Sequence, residues 1–299
     1  SSTSRGLGDV YKRQAQMRSD LVLLIPPAAI DQVPPGVPFE VIGRSGGPIW
    51  EQIELPLWLR RHGSPLLLNP ANIAPMTYRR QVSIQHDIAP ALRPHDFTLL
   101  FRIQWHLVVR LGMLRRGQRL VTSSRASREE IAAQFRVDPG TIEVIHLGAD
   151  TLPAADRPTS EGERTTYVTF GRHGAAKNAR AAIDALALLP ADERIDLEFV
   201  GKLDPELKPY ARARGIDPDR IRWLGPVSDE ELADAFTRAA AFVWPSLHEG
   251  FGLPPLEAQR LGTPVLASDI PINREILGES ARYFPCLLYT SDAADDSLR

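Results

Sequence analysis

Phe242-Val-Trp-Pro-Ser-Leu-His-Glu-Gly-Phe-Gly-Leu-Pro-Pro-Leu-Glu257 is the stretch on which the reading of the chain turns. It begins within an apolar run, Ala239 to Trp244, of the length and residue type of a buried parallel strand. The glycine-bearing loop Glu249-Gly250-Phe251-Gly252 follows. Pro254 and Pro255 then stand where a helix starts, because proline tolerates the first turn. Leu256 to Leu261 continue as helix and Gly262 stops it. Strand, glycine loop and helix N-terminus together make a site for an anion, since free N–H groups and the positive end of the helix dipole face the loop. Glu249 and Glu257 flank that site with seven residues between them. Acids near a helix start also complement the dipole, so the pair alone fits a structural role as well as a binding one.

The longer run His248-Glu-Gly-Phe-Gly-Leu-Pro-Pro-Leu-Glu-Ala258 resembles the donor-site signature of retaining glycosyltransferases of the GT-B fold. The family includes many bacterial mannosyl- and glucosyltransferases. The resemblance implies an α/β chain of two Rossmann-like, doubly wound domains that face a cleft. It also implies that Glu249 meets the hydroxyls of the donor sugar and that Glu257 hydrogen-bonds the nucleotide ribose. Backbone N–H groups of Gly250, Phe251, Gly252 and Leu253 would meet the sugar and diphosphate.

Upstream, Thr151 to Thr165 reads as a linker, with Pro153, Pro158, Ser160 and Gly162, mixed charge and no period. From Thr166 strands and helices alternate, which argues for a parallel doubly wound sheet across residues 166–285. Gly171-Arg-His-Gly-Ala-Ala-Lys-Asn178 sits where the first of these strands passes into a helix. Arg172 and Lys177 are thus cations at the carboxyl edge of the sheet, where open α/β folds bind ligands. The bare pattern fits a solvated loop with two surface bases equally well. It resembles the family's Arg and Lys that hold the donor diphosphate, which implies charge neutralisation as the sugar–phosphate bond breaks. Gly171 belongs with the donor-binding set by the same resemblance.

Residues 15–150 read as an acceptor-side α/β domain. Leu21–Ile25, Phe39–Ile42, Pro65–Leu68, Val82–Ile84, Arg119–Ser123 and Thr141–Ile145 are strand-like. Gly43–Gly47 is a turn and not a dinucleotide fingerprint, because the glycine spacing and strand–helix context are wrong. Trp50, Ile53 and Leu57 lie at helical spacing, although Pro56 makes that helix irregular. Ser127 and Glu130 have the spacing of a capping box. Gln85-His86-Asp87 follows a strand where family members place a histidine near the donor sugar, so His86 joins the implied catalytic set with Glu249, Arg172 and Lys177. Thr122–Glu130 and Ile145–Asp150 are also typical of this domain in the family. The family's opening strand, glycine-rich loop and helix have no counterpart ahead of Leu21, and its closing helices none after Phe284. Leu99 to Leu120 carries Arg102, Arg110, Arg115, Arg116 and Arg119 with no acid. Such a segment can be a solvated basic face or an amphipathic helix on anionic lipid.

The two ends read as something other than gene. Asp9-Val-Tyr-Lys-Arg-Gln14 back-translates to GATGTGTATAAGAGACAG, and Cys286-Leu-Leu-Tyr-Thr-Ser291 to TGTCTCTTATACACATCT. The second is the reverse complement of the first, shifted in frame, and both look like the end sequence of a transposase sequencing adapter. The flanks Ser4–Gly8 and Asp292–Asp295 continue into the adapter arms. Residues 1–14 and 286–299 are therefore expected to be translated adapter. The chain as printed, lacking the family's opening and closing elements, is expected to be inactive.

Composition narrows the class further. The formal net charge is −2 over 299 residues, and removing the tails leaves it unchanged, which argues against wholesale nucleic-acid binding. The single cysteine, Cys286, falls in the expected adapter, so no disulfide framework is implied. No apolar run reaches transmembrane length. The histidines show no helical metal spacing with a carboxylate partner; His248-Glu249 begins like a zinc-protease helix, but Gly252 holds the place of its second histidine. Asp217-Pro-Asp219 imitates the metal-binding acid pair of the other glycosyltransferase fold and reads better as a turn. No metal or other cofactor is expected.

The resemblance implies a retaining hexosyltransferase that uses a nucleotide-diphosphate sugar and a glycan or lipid-linked acceptor. A cytoplasmic location is expected, either free or at the inner face of the membrane. No side chain is an evident nucleophile, and the resemblance implies front-face substitution. A sugar-nucleotide epimerase of the same fold, or a nucleotide-sugar-binding remnant without turnover, are the alternatives.

Overall fold

The computed structural model describes residues 21–285, apart from 71, 116–117, 150–151, 155–164, 172–174 and 191–192. Both expected adapter tails, most of the expected linker, Arg172 and Arg116 lie outside the described residues. The chain divides into two compact units between His146 and Leu147.

In the first unit, β1 (Leu23–Ile25) pairs in parallel with β2 (Phe39–Val41). A second parallel sheet runs in the order β3 (Leu67–Asn69), β4 (Gln81–Ile84), β5 (Arg119–Thr122) and β6 (Ile142–Val144). Leu24 of β1 and Leu67 of β3 pack on one core with Ile42, Leu55, Leu59 and Tyr78. That core lies under α1 (Leu55–Arg61). Of the residues read at helical spacing, Ile53 and Leu57 are exposed, and Leu55 and Leu59 are the buried ones. The cause is a π-turn over Trp50–Glu54, closed by the Leu55 N–H on the Trp50 carbonyl. Pro56 has no N–H to give to residue 52, so the wider turn takes up the irregularity and rotates the helix face.

The expected Leu99–Leu120 helix is shorter than its pattern. α2 (Leu99–Val108) runs into a π-turn, Val109–Met113, and stops. Arg119 opens β5, as the strand reading of Arg119–Ser123 has it, and faces Glu143 at 3.5 Å across the strand pair. Arg110 donates to the Phe135 carbonyl at 3.3 Å. Trp105, Val108, Val109 and Met113 are buried. Leu100, Ile103, Leu107 and Leu111 stay exposed at helical spacing on another face.

The Ser127–Glu130 capping box is also corrected. The N-cap of α3 (Arg125–Phe135) is Ser124, whose hydroxyl accepts the Ser127 N–H at 3.0 Å. The Ser127 hydroxyl donates to the His86 carbonyl at 3.2 Å and so ties α3 to the end of β4.

The second unit holds six parallel strands in the order β12-β11-β10-β7-β8-β9. Their spans are β7 (Thr166–Phe170), β8 (Asp196–Val200), β9 (Ile221–Gly225), β10 (Ala241–Trp244), β11 (Val265–Ser268) and β12 (Ala281–Phe284). The chain steps outward from β7 to β9, returns to β10 beside β7, and steps outward the other way. This is doubly wound order with its switch point between β7 and β10. The helices are α4 (Ala179–Leu188), α5 (Leu207–Ala213), α6 (Asp229–Arg238), α7 (Leu253–Arg260) and α8 (Pro271–Leu277). α8 was not expected from the sequence. Alternate strand residues feed two cores. Tyr167, Phe199 and Val243 join α4 and α5, while Val168, Val200 and Phe242 join α6 and α7. The strands read as continuous apolar runs because both faces are covered.

Candidate active site

The switch point of the six-stranded sheet in the second unit gathers most of the residues the sequence singled out. At the end of β7, Gly171 donates its N–H to Val200 and accepts the Asp204 N–H at 2.7 Å. A Cβ at Gly171 would meet the end of the Leu203 side chain, so a larger residue there would need Leu203 to move aside. The chain then passes through a 3-10 turn, Ala175–Lys177, to Asn178 at φ 48°, the N-cap position of α4. Asparagine tolerates that left-handed conformation better than most residues. The turn aims Lys177 back across the end of the sheet.

At the end of β10, the Leu247 N–H donates to the Ala176 carbonyl at 2.7 Å and joins the two loops. Lys177 Nζ lies 2.6 Å from Glu249 Oε1, although 72 residues separate them in sequence. The Glu249 side chain is 11% exposed and that of Lys177 27%. Two charges so far withdrawn from water require each other, because neither could be desolvated alone without a large cost. Gly252 has φ 89°, a backbone that strains any L side chain, and it is the N-cap of α7. Leu253, Pro254 and Pro255 form the first turn. Phe251 and Glu257 are buried, Glu257 one turn further into α7. Gly250, Gly252 and Leu253 thus line the start of an eight-residue helix, beside a preformed Lys–Glu pair. Such a place offers N–H donors and one cation to an anion, and a carboxylate to hydroxyl donors.

Two polar groups near this loop went unread in the sequence. Trp244 Nε1 and Ser246 Oγ are buried with no hydrogen-bond partner among the described residues. Trp244 also places its ring face 5.0 Å from Lys177 Nζ. The available signal was position: a tryptophan ending the strand before the loop, where apolar composition disguised it as core.

His86 belongs to the first unit. Its N–H donates to Asn72 Oδ1 at 2.8 Å, and its ring Nε2 lies 3.1 Å from the Pro70 carbonyl. A carbonyl can only accept, so Nε2 is the donor in that contact. Asp87 Oδ1 accepts the Ala89 N–H at 2.9 Å and starts the helical turn Ala89–Leu92. Beside these residues lies a hollow of about 470 Å³ lined by Ile73, Asp87, Arg93, Phe101 and Trp105, among others. Asp217-Pro-Asp219 is a turn, with the Asp219 N–H donating to Asp217 Oδ1 at 3.0 Å. Among the described residues no three His, Cys, Asp or Glu side chains converge as a metal site would need.

Comparison with known proteins follows the same lines. The family described as glycosyl transferases group 1 matches residues 154–293. The chain is 28% identical over 215 residues to the O-antigen chain mannosyltransferase RfbU of Salmonella typhimurium, across 69% of this chain and 56% of the relative. It is 28% identical to the O-antigen chain mannosyltransferase B of Escherichia coli, across 74% of this chain and 61% of that protein. The chain therefore spans little more than half the length of these curated relatives. Among solved structures, Anabaena Alr3699/HepE in complex with UDP and glucose superposes with a TM-score of 0.63 at 19% identity, covering 94% of this chain and 82% of that one. That likeness establishes the fold as GT-B. The match to glycosyl transferases group 1 thus falls in the second unit, on the sheet and loops that carry the Lys177–Glu249 pair.

Proposed function

We propose that the protein transfers a hexose, of mannose or glucose type, from a nucleoside-diphosphate sugar to a hydroxyl of a glycan or lipid-linked acceptor, with retention at the anomeric carbon. The observation that carries this is the Lys177–Glu249 pair set against the N-terminus of α7 at the switch point. The names of the relatives, mannosyltransferases of O-antigen chains, and the UDP and glucose of the Anabaena complex support the hexose class. In the reaction, the bond from C1 to the phosphate oxygen breaks and C1 bonds to the acceptor oxygen on the same face. The acceptor proton passes to the departing diphosphate. Lys177, Arg172 and the N–H groups of Gly250 to Leu253 take up the charge growing on that diphosphate. Glu249 accepts hydrogen bonds from the sugar and Glu257 from the ribose. No metal enters this scheme.

The same reading gives the acceptor to the first unit and sets His86 near the donor sugar. It also includes a cytoplasmic location with a peripheral contact to anionic lipid at the inner face of the membrane. The exposed stripe Leu100, Ile103, Leu107 and Leu111 supports that contact better than the arginines do, since Arg119 lies on a strand. No helix among the described residues is long and apolar enough to cross a membrane.

The test uses the natural full-length protein with a panel of nucleotide sugars, measuring donor hydrolysis and transfer. Glu249→Gln is expected to lower turnover at least tenfold, an order-of-magnitude figure for a lost transition-state contact, with nucleotide affinity nearly kept. Glu257→Ala should weaken both donor and free nucleotide, and EDTA should leave activity intact. Metal-dependent turnover, or full activity in both variants, would place the site elsewhere. For the membrane contact, Leu100→Gln with Ile103→Gln and Leu107→Gln should release the protein from anionic vesicles in a sedimentation assay; unchanged binding, or none by the parent at low salt, ends the idea.

A further inference from the structure

We infer that Trp244 is the positioning residue for Lys177: its indole face holds the ammonium over the α7 loop when Glu249 turns to another partner. The inference rests on the donor site proposed above. One ammonium has two partners of unlike kind, a carboxylate at 2.6 Å and an aromatic face with its centroid at 5.0 Å. A sugar hydroxyl can recruit Glu249, because a carboxylate has several lone pairs to share. No substrate recruits the ring face in the same way. Lys177 thus keeps one fixed contact while the other is exchanged, and the cation stays where a diphosphate meets it.

The ring is held for this purpose. Trp244 is the last residue of β10 and only 3% exposed. Phe170 meets it edge-on at 5.9 Å and Phe242 packs at 5.6 Å, so its plane is set from two sides. A core position alone would not select tryptophan. Its buried Nε1–H has no acceptor among the described residues, which is unfavourable, and leucine or phenylalanine would fill the space without that donor. A Cβ on Gly252 would come within 3.9 Å of Nε1, so the indole lies directly against the loop whose N–H groups open α7. Tryptophan is also the aromatic residue that attracts a cation most strongly.

The experiment compares Trp244→Phe, which keeps an aromatic face, with Trp244→Leu, which does not, each alone and combined with Lys177→Ala. Calorimetry measures GDP and UDP against guanosine and uridine, and NMR follows the side-chain methylene signals of Lys177 in the free protein. Trp244→Leu is expected to lose about tenfold in diphosphate affinity, the range of a desolvated cation–π contact, with nucleoside affinity unchanged. Trp244→Phe should keep most of the affinity, and neither change should matter further once Lys177 is alanine. The Lys177 signals should be ring-shifted in the parent and in Trp244→Phe, and lie near their ordinary positions in Trp244→Leu. Equal losses for nucleoside and diphosphate, a loss that persists without Lys177, or unshifted Lys177 signals in the parent would overturn the inference. If the parent binds neither ligand class, the donor reading fails, and the Trp244 role toward a diphosphate fails with it even where the ring shift is present.

Discussion

Glu51 shows how one side chain in the first unit sets a pH dependence. Burial pushes its carboxyl from 4.5 up to about 7, against a smaller opposing effect of the Gln52 amide that donates to it at 2.6 Å. The folded protein therefore holds this proton more tightly than the unfolded chain does. Its contribution to stability is full below about pH 4.5, the unfolded value, and is lost as the pH rises through about 7. Urea midpoints of the parent should fall between pH 5 and pH 8, and Glu51→Gln should remove much of that fall. An identical pH response in parent and variant would show that Glu51 is not the group responsible. At this scale the sequence was an uneven guide. It singled out Glu249 and Lys177 separately, yet nothing in a one-dimensional pattern joins residues 72 positions apart; the doubly wound order does that. Arg172, read beside Lys177, falls outside the described residues, and Glu51 carried no sequence mark at all.

Elements were legible wherever one local rule acted alone. The alternation of strands and helices in the second unit, the strand ending at Trp244 and the helix start at Leu253–Pro255 follow the sequence reading, because continuous apolar runs and a Gly-Leu-Pro-Pro start admit few other structures. Elements were misread where two rules competed. Ser127-x-x-Glu130 has capping-box spacing, but Ser124 reaches the Ser127 N–H first and begins the helix three residues earlier. The true capping box is at α6, where Ser228 Oγ accepts the Glu231 N–H at 3.1 Å and the Glu231 carboxylate accepts the Ser228 N–H at 2.7 Å. Ser228→Ala should therefore cost the second unit about 1 kcal/mol, the usual worth of such a cap, in urea unfolding followed by circular dichroism. No loss would mean that α6 is held by Ala233, Phe236 and their core alone. The π-turns before α1 and after α2 were invisible in advance because helical periodicity assumes an unbroken turn.

On the function proposed above, the whole molecule turns on one place: the second unit receives a nucleoside diphosphate at the junction of β7, β10 and α7. The sheet order places that junction, the left-handed Asn178 and Gly252 turn both loops toward it, and the Lys177–Glu249 pair waits there. The family's domain covers the same unit, at residues 154–293. The most direct test is an amide NMR titration of the chain with GDP and with UDP. The account predicts saturable shifts centred on Lys177 and on Glu249 to Leu253, reduced by Lys177→Ala and not reproduced by the bare nucleosides at the same concentration. Saturable shifts centred elsewhere, or none with either nucleotide, would contradict it.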